Sequence, residues 1–174
     1  MIHGRRDDGL GLLDRARGLM RRKATLWDSM TVTGEMHLEV RGADGRIKAT
    51  RHKKNLVVTT GRDAIIERLD STPSTTQPTH MAVGTSTTAA AAGQTALIAE
   101  VDRNALTSSV ASGGVLTMVG NWAAGDATNG ALAEAGVFNA GAAGTMYSRA
   151  TFTAIAKGAA DTLQITWTYT LTPS

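Results

Sequence analysis

Side chains able to exchange protons, hold a metal or act as nucleophiles are sparse in this 174-residue chain, which has no cysteine. Of the histidines His3, His37, His52 and His80, only His37 and His52 are brought together by a local pattern, a hairpin turning at Asp44-Gly45. Two imidazoles facing across strands can share a transition metal, with Glu35 or Glu39 beside them. The competing reading, which we adopt, is a pair of exposed histidines on a hairpin's polar face. No G-x-S-x-G elbow is present, and Gly84-Thr85-Ser86 has no partner fixed by spacing. Gly113-Gly114 is followed by neither a lysine nor a helix pattern, so it is not a phosphate loop. Glu100, Asp102 and Glu134 read as salt-bridge or turn carboxylates rather than acid–base catalysts. The expectation is a non-enzymatic protein with no catalytic residue, no cofactor and no metal.

The elements that must position these residues are written in the composition. Alanine, threonine and glycine number 28, 25 and 19, and only seven residues are aromatic, which suits short strands, tight turns and a thin core. Absent thiols exclude disulfides and thiolate zinc sites. No apolar run approaches the ~18 residues of a membrane span, and Leu10 to Leu13 is too interrupted for a secretory signal. A soluble protein, used without signal-directed export, is expected.

Charge is unevenly placed. Residues 1–54 hold 13 Lys/Arg against 7 Asp/Glu, whereas residues 55–174 hold 5 against 8. A basic front on a mildly acidic body suits an acidic partner, either nucleic acid or protein. Arg15, Arg17, Arg21, Arg22 and Lys23 form one basic cluster and Arg51, Lys53 and Lys54 a second. Only Trp27 is near enough to act as a stacking platform, so contact with DNA is disfavoured.

Periodicity supplies the rest. Leu12, Leu13, Ala16, Leu19 and Met20 lie on one stripe of a helix over 7–23, with Asp7 and Asp8 at its start and Arg21, Arg22 and Lys23 at its end. Gly9, Gly11 and Gly18 weaken it, so it should order only when the stripe is covered. Val32, Met36, Leu38 and Val40 alternate with Thr33, Glu35, His37, Glu39 and Arg41. Closing this strand at Asp44-Gly45 sets Glu35 opposite Lys54, His37 opposite His52 and Val40 opposite Ala49. A Thr60/Asp63 capping box opens a helix over 60–70, and a Pro-containing loop spans 71–79. Strands are expected from His80 to Gly84 and over 103–111, 115–122, 135–138, 145–152 and 162–172. A turn of helix is expected over 95–101, and turns at Gly113-Gly114 and from Asp126 to Gly130, with Asn129-Gly130 in the latter. The last strand is the clearest, with Leu163, Ile165, Trp167, Tyr169 and Leu171 on one face and threonines or Gln164 on the other.

Several segments together resemble structural proteins of tailed bacteriophages. They are Thr79-His80-Met81-Ala82-Val83-Gly84-Thr85-Ser86-Thr87-Thr88, Thr95-Ala96-Leu97 with Glu100-Val101-Asp102-Arg103, Glu134-Ala135-Gly136-Val137-Phe138-Asn139, Ser148-Arg149-Ala150-Thr151-Phe152 and Asp161 to Trp167. Lys54-Asn55-Leu56-Val57 and the helix after Gly61 also fit, so the resemblance covers about residues 54–172. It implies a virion protein related to tail-collar fibre domains or small capsid-surface proteins, and it carries over no catalytic residue.

The resulting expectation is a mainly β chain: an antiparallel β-sandwich over 31–174, with a hairpin at 31–52 and one short helix, preceded by an N-terminal amphipathic helical docking arm over 1–30. Leu12, Leu13, Ala16, Leu19 and Met20 would dock the arm and Arg21, Arg22 and Lys23 would make its basic contacts. The expected role is a capsid decoration or cementing subunit, placed in a virion assembled in the host cytoplasm. Its partners would be the major capsid or neck and tail proteins, with self-association, for instance as a trimer, and no membrane contact. A collar or tail-fibre attachment protein is the alternative, with a bacterial adhesin or nucleic-acid-binding module as a further one.

Overall fold

In a computed structural model, residues 29–173 are described. The arm expected over 1–30, with its docking and basic residues, lies outside them except for Ser29 and Met30. The strands are β1 (Met30–Arg41), β2 (Ile47–Lys54), β3 (Leu56–Val57), β4 (His80–Gly84), β5 (Glu100–Ser112), β6 (Val115–Trp122), β7 (Asn129–Phe138), β8 (Met146–Lys157) and β9 (Thr162–Pro173). One helix, α1 (Thr59–Glu67), follows β3.

All pairings are antiparallel, in the order β2-β1-β9-β6-β5-β4-β7-β8-β3. The mainly β, antiparallel expectation with one short helix is met. The word sandwich goes further than the hydrogen bonding does, because the nine strands make one continuous ladder, curled until it is nearly closed like a barrel. Two places allow the curl. β5 pairs with β4 through its first half, up to Ala105, and with β6 through its second, from Leu106. At the other corner β2 and β3, the two ends of the ladder, are separated in the chain by Asn55 alone. The Arg51 guanidinium adds a clasp, donating to the carbonyls of Thr153 (2.8 Å) and Ala154 (3.1 Å) on β8. A sheet joined to itself in this way leaves little free edge for foreign strands to extend.

The strict alternation along β1 and β9 places Met36, Leu38 and Val40 beside Leu163, Ile165 and Trp167 in the interior, all at most 1% exposed. Met81, Met118, Trp122, Leu132, Val137 and Phe152 complete that core. β7 is buried on both faces from Leu132 to Phe138. Its outward side is covered by the segment between β4 and β5, where Leu97 packs with Ala82, Phe138, Met146 and Val58 in a second cluster. Thus the Thr/Ala-rich stretch after Gly84 is a lid on the sheet.

Several local expectations are corrected. The register of the first hairpin is as expected, with Glu35 opposite Lys54, His37 opposite His52 and Val40 opposite Ala49. Its turn is longer than two residues: a bulge follows Val40, Gly45 N–H donates to the Gly42 carbonyl, and Gly45 takes φ +79°. The Thr60/Asp63 capping box does not form, because the Thr60 hydroxyl donates to the Met146 carbonyl at 2.8 Å instead. The helix stops at Glu67 in tight i→i+3 bonds, leaving Ile66 and Leu69 exposed. No helical turn forms over 95–99, where backbone N–H groups serve a buried carboxylate described below. The turn expected from Asp126 to Gly130 lies earlier, over 124–127, where the Asp126 N–H donates to the Ala123 carbonyl, and Asn129-Gly130 already begins β7.

Gly61 sets how closely α1 approaches the sheet. It is buried, and a Cβ there would collide with the Tyr147 carbonyl of β8. Helix propensity alone favours Ala over Gly by up to about 1 kcal/mol. Overpacking against fixed backbone costs roughly 1–3 kcal/mol and should win. Gly61→Ala is therefore expected to lower stability, read as an earlier midpoint in urea unfolding followed by circular dichroism.

Candidate functional site

The first hairpin brings His37 and His52 to one exposed face, with ring centroids 6.4 Å apart. The second imidazole is engaged by a carboxylate, with His52 Nε2 3.2 Å from Glu35 Oε2. Glu39 is instead paired with Arg41. Among the described residues no group of three or more His, Asp or Glu side chains is arranged to hold a metal. Of the second basic cluster, Arg51 is consumed by carbonyls of β8, while Lys53 and Lys54 remain exposed.

The carboxylate read as a lone salt-bridge residue is, among the described residues, the centre of a buried hydrogen-bond network. Glu134 is fully buried, on the outward side of β7 beneath the lid. Its Oε2 accepts from Arg149 Nε at 2.9 Å, with Arg149 Nη2 2.8 Å away, and Arg149 is itself fully buried. Oε1 takes the N–H groups of Ala99 (2.7 Å) and Ser86 (3.3 Å), and Oε2 also takes that of Ile98 (3.2 Å). Gln94 Oε1 accepts from Arg149 Nη1 at 3.0 Å and also receives the Ala91 N–H. Both ends of the lid are thereby tied to one ion pair. Gly84 permits this approach, since a Cβ there would strike the Ala99 carbonyl and the Glu134 side chain.

A second ionic cluster adjoins the first. Arg103 donates to both carboxylate oxygens of Glu100 (2.9 and 2.7 Å) and to the carbonyls of Ala140 and Ala143, and its guanidinium lies 3.7 Å from the Phe138 ring centre. Asp102 accepts the Arg103 N–H. All three carboxylates proposed as salt-bridge or turn residues are thus held in hydrogen-bonded structure. Periodicity could not have found Arg149, because a buried arginine on a strand reads as a solvated one.

Elsewhere, polar groups also serve packing. Ser148 and Tyr169 share a buried hydroxyl–hydroxyl hydrogen bond, and burial pushes the Tyr169 phenol well above its usual range. The Lys48 ammonium, 2.7 Å away, together with the Gly158 N–H, holds Asp161 below the ordinary carboxylate range. Burial lowers Lys157, whose ammonium donates to the Ala123 carbonyl. A cleft of about 540 Å³ is bordered by Glu39, Arg41, Asn121, Asp126 and Gln164. These bond one another or nearby backbone: Arg41 to Glu39, Gln164 to Asn121, and Asp126 to the Ala123 N–H. No described helix is long and apolar enough to cross a membrane. No protein-family model, curated protein or solved structure matches the chain.

Two predictions arise here. Breaking a buried ion pair by removing one partner costs about 3–5 kcal/mol, so Arg149→Met should destabilise by that order in urea unfolding. Adding Glu134→Gln should recover part of the loss, because a neutral amide oxygen still accepts the lid's N–H groups. Adding Glu134→Leu should not, because it leaves the N–H groups of Ser86, Ile98 and Ala99 orphaned. The other concerns Glu67 at the end of α1. Hydrogen bonds from the side chain and backbone of Ser74 and from Thr75 lower its pKa from 4.5 to about 2. A lowered folded-state value stabilises above the unfolded value, and this contribution is lost as pH falls through the folded one. The protection factors of the Ser74 and Thr75 amides, each exchange rate taken relative to the intrinsic rate at the same pH, should therefore hold down to about pH 4.5 and fall between there and about pH 2.

Proposed function

We propose that this chain is a non-enzymatic structural subunit of a tailed-bacteriophage particle, acting on the head surface as a decoration or cementing protein. One observation carries the reading beyond the linear resemblance. Three of the five segments that resemble phage structural proteins meet in space at the Glu134–Arg149 pair. Ser86 lies in the first segment, Glu134 opens the third and Arg149 stands in the fourth. The second segment joins through Arg103, whose guanidinium covers Phe138 of the third. Residues scattered over 79–152 thus form one cooperative unit, as expected when such segments define a fold and not a catalytic site.

The physical properties suit that role. A sheet whose two ends are joined through Asn55, with a lid clamped by an ion pair, is a rigid block with little free edge. Rigid blocks assemble by surfaces and appendages, and the basic, amphipathic segment over 7–23 is the proposed appendage. Leu12, Leu13, Ala16, Leu19 and Met20 would pack on a neighbouring virion protein, with Arg21, Arg22 and Lys23 on an acidic patch beside it. Self-association into a closed ring such as a trimer would multiply weak individual contacts. A collar or tail-fibre attachment protein is the second reading, favoured by the same resemblance.

Labelled antibody against this protein, viewed by electron microscopy on purified particles, is expected to decorate the heads. Label confined to the neck or tail would select the second reading. Absence from particles would overturn both. Deleting residues 1–28, which leaves every described strand intact, is expected to abolish incorporation while the truncated chain still folds; unchanged incorporation would remove the arm from the proposal.

A further inference from the structure

The outward face of the wall β2-β1-β9-β6-β5 has two unlike halves. On β1 and β2 it carries Glu35, His37, Glu39, His52 and Lys54. On β9 the outward positions alternate with buried Leu163, Ile165, Trp167 and Tyr169, and they are Gln164 and five threonines. On β6 they are Val115, Thr117, Val119 and Asn121, and Val110 of β5 pairs with Thr117. No ionisable side chain stands outward on β9, on β6 or on the second half of β5. Val110, on this uncharged half, is 62% exposed.

Threonine and valine suit any strand, because β-branched side chains pack well on a pleated surface. Their placement says more. An uncharged, partly apolar area bordered on one side by charged residues has the anatomy of a protein interface. A surface meets its own copy across a twofold axis only when it is complementary to itself. A patch of one charge fails, since like meets like. Threonine succeeds, because each hydroxyl both donates and accepts and each methyl can pack on another. Among the described residues the hydroxyls of Thr117, Thr166, Thr168 and Thr170 make no hydrogen bond, which leaves them to a facing copy.

Size points the same way. Strands lie ~4.8 Å apart and rise ~3.4 Å per residue, so β1, β9, β6 and β5 over about eight residues present roughly 500 Å². Two copies together cover about 1,000 Å², the lower bound for a specific contact, which makes the pair reversible. We propose that this wall is the seat of a second copy of the chain, packed face to face about a twofold axis near Thr117. The uncharged strands form the centre of the contact, and Glu35, His37 and Glu39 of β1 form part of its rim. The pair gives a surface to the self-association proposed above and rests on that part of the reading alone. It holds whether or not the chain enters a particle.

Sedimentation velocity of the full-length chain over a dilution series tests this. The wild type is expected to sediment at twice the chain mass when concentrated and to separate on dilution. Thr117→Lys sets like charges against each other at the middle of the face and is expected to weaken pairing at least about tenfold. Thr153→Lys, at an exposed position of β8, should leave pairing unchanged. Because the chain has no cysteine, Thr117→Cys gives a second, milder variant that decides even if Thr117→Lys does not fold. A short bismaleimide should join two Thr117→Cys chains and leave Thr153→Cys chains single. A monomer at every concentration overturns the proposal. So does a pair that survives Thr117→Lys and is not joined through Thr117→Cys. A species of three times the chain mass would keep self-association and overturn the twofold pair.

Discussion

A carboxylate removed from water must be surrounded by donors, and much of this structure satisfies that one demand at Glu134. Its single arginine partner, Arg149, comes from the neighbouring strand β8, so the pair also locks the β7–β8 register. The other donors are backbone N–H groups at the two ends of the segment joining β4 to β5. A stretch of threonine, alanine and glycine has too little apolar surface to order itself by burial. Here it is ordered by electrostatics, and Leu97, the one of its two large apolar residues that is buried, then seals the second cluster. The charge is costly to bury and is offset by Arg149 and three backbone N–H groups. That makes the lid an all-or-none feature of the fold.

The same logic separates what was legible in the sequence from what was not. Period-two alternation is a direct consequence of one buried face, so β1 and β9 and the pairing of His37 with His52 could be read off the residues. The bulge after Val40 and the longer turn behind it could not, because bulge and turn together preserve the register that the alternation reveals. β7 hid most of its length for a different reason. Buried on both faces, it lacks alternation, and its outward positions hold Glu134 and Gly136, which look like turn residues when met in isolation. The 95–101 stretch has helix-forming composition, but its N–H groups are claimed by the Glu134 carboxylate. Thr60 has the spacing of a cap and spends its hydroxyl on Met146. Tertiary partners outbid local ones in both cases.

Candidate chemistry followed the same division. Glu100, Asp102 and Glu134 were identifiable as carboxylates in salt bridges or turns, but the partner that matters most, Arg149, carries no local signal of burial. Asn55 also looked unremarkable in sequence. Its importance comes from topology, since the ladder closes on itself only if one residue can pass the chain from β1 to β8.

The adjacency of β1 and β9 has a mechanical corollary. Met30 pairs with Pro173, so the first and last described strands run side by side with their outer termini at the same end. Tension applied between those two points would act perpendicular to the β1–β9 ladder and open it one pair at a time, like a zipper, and would not shear the whole row at once. Tension entering at Met30 and leaving at Thr162, the far end of the neighbouring strand, would run along the strands and load many hydrogen bonds together. The barrel is thus anisotropic: weak when its two termini are pulled apart, strong when stretched along its length.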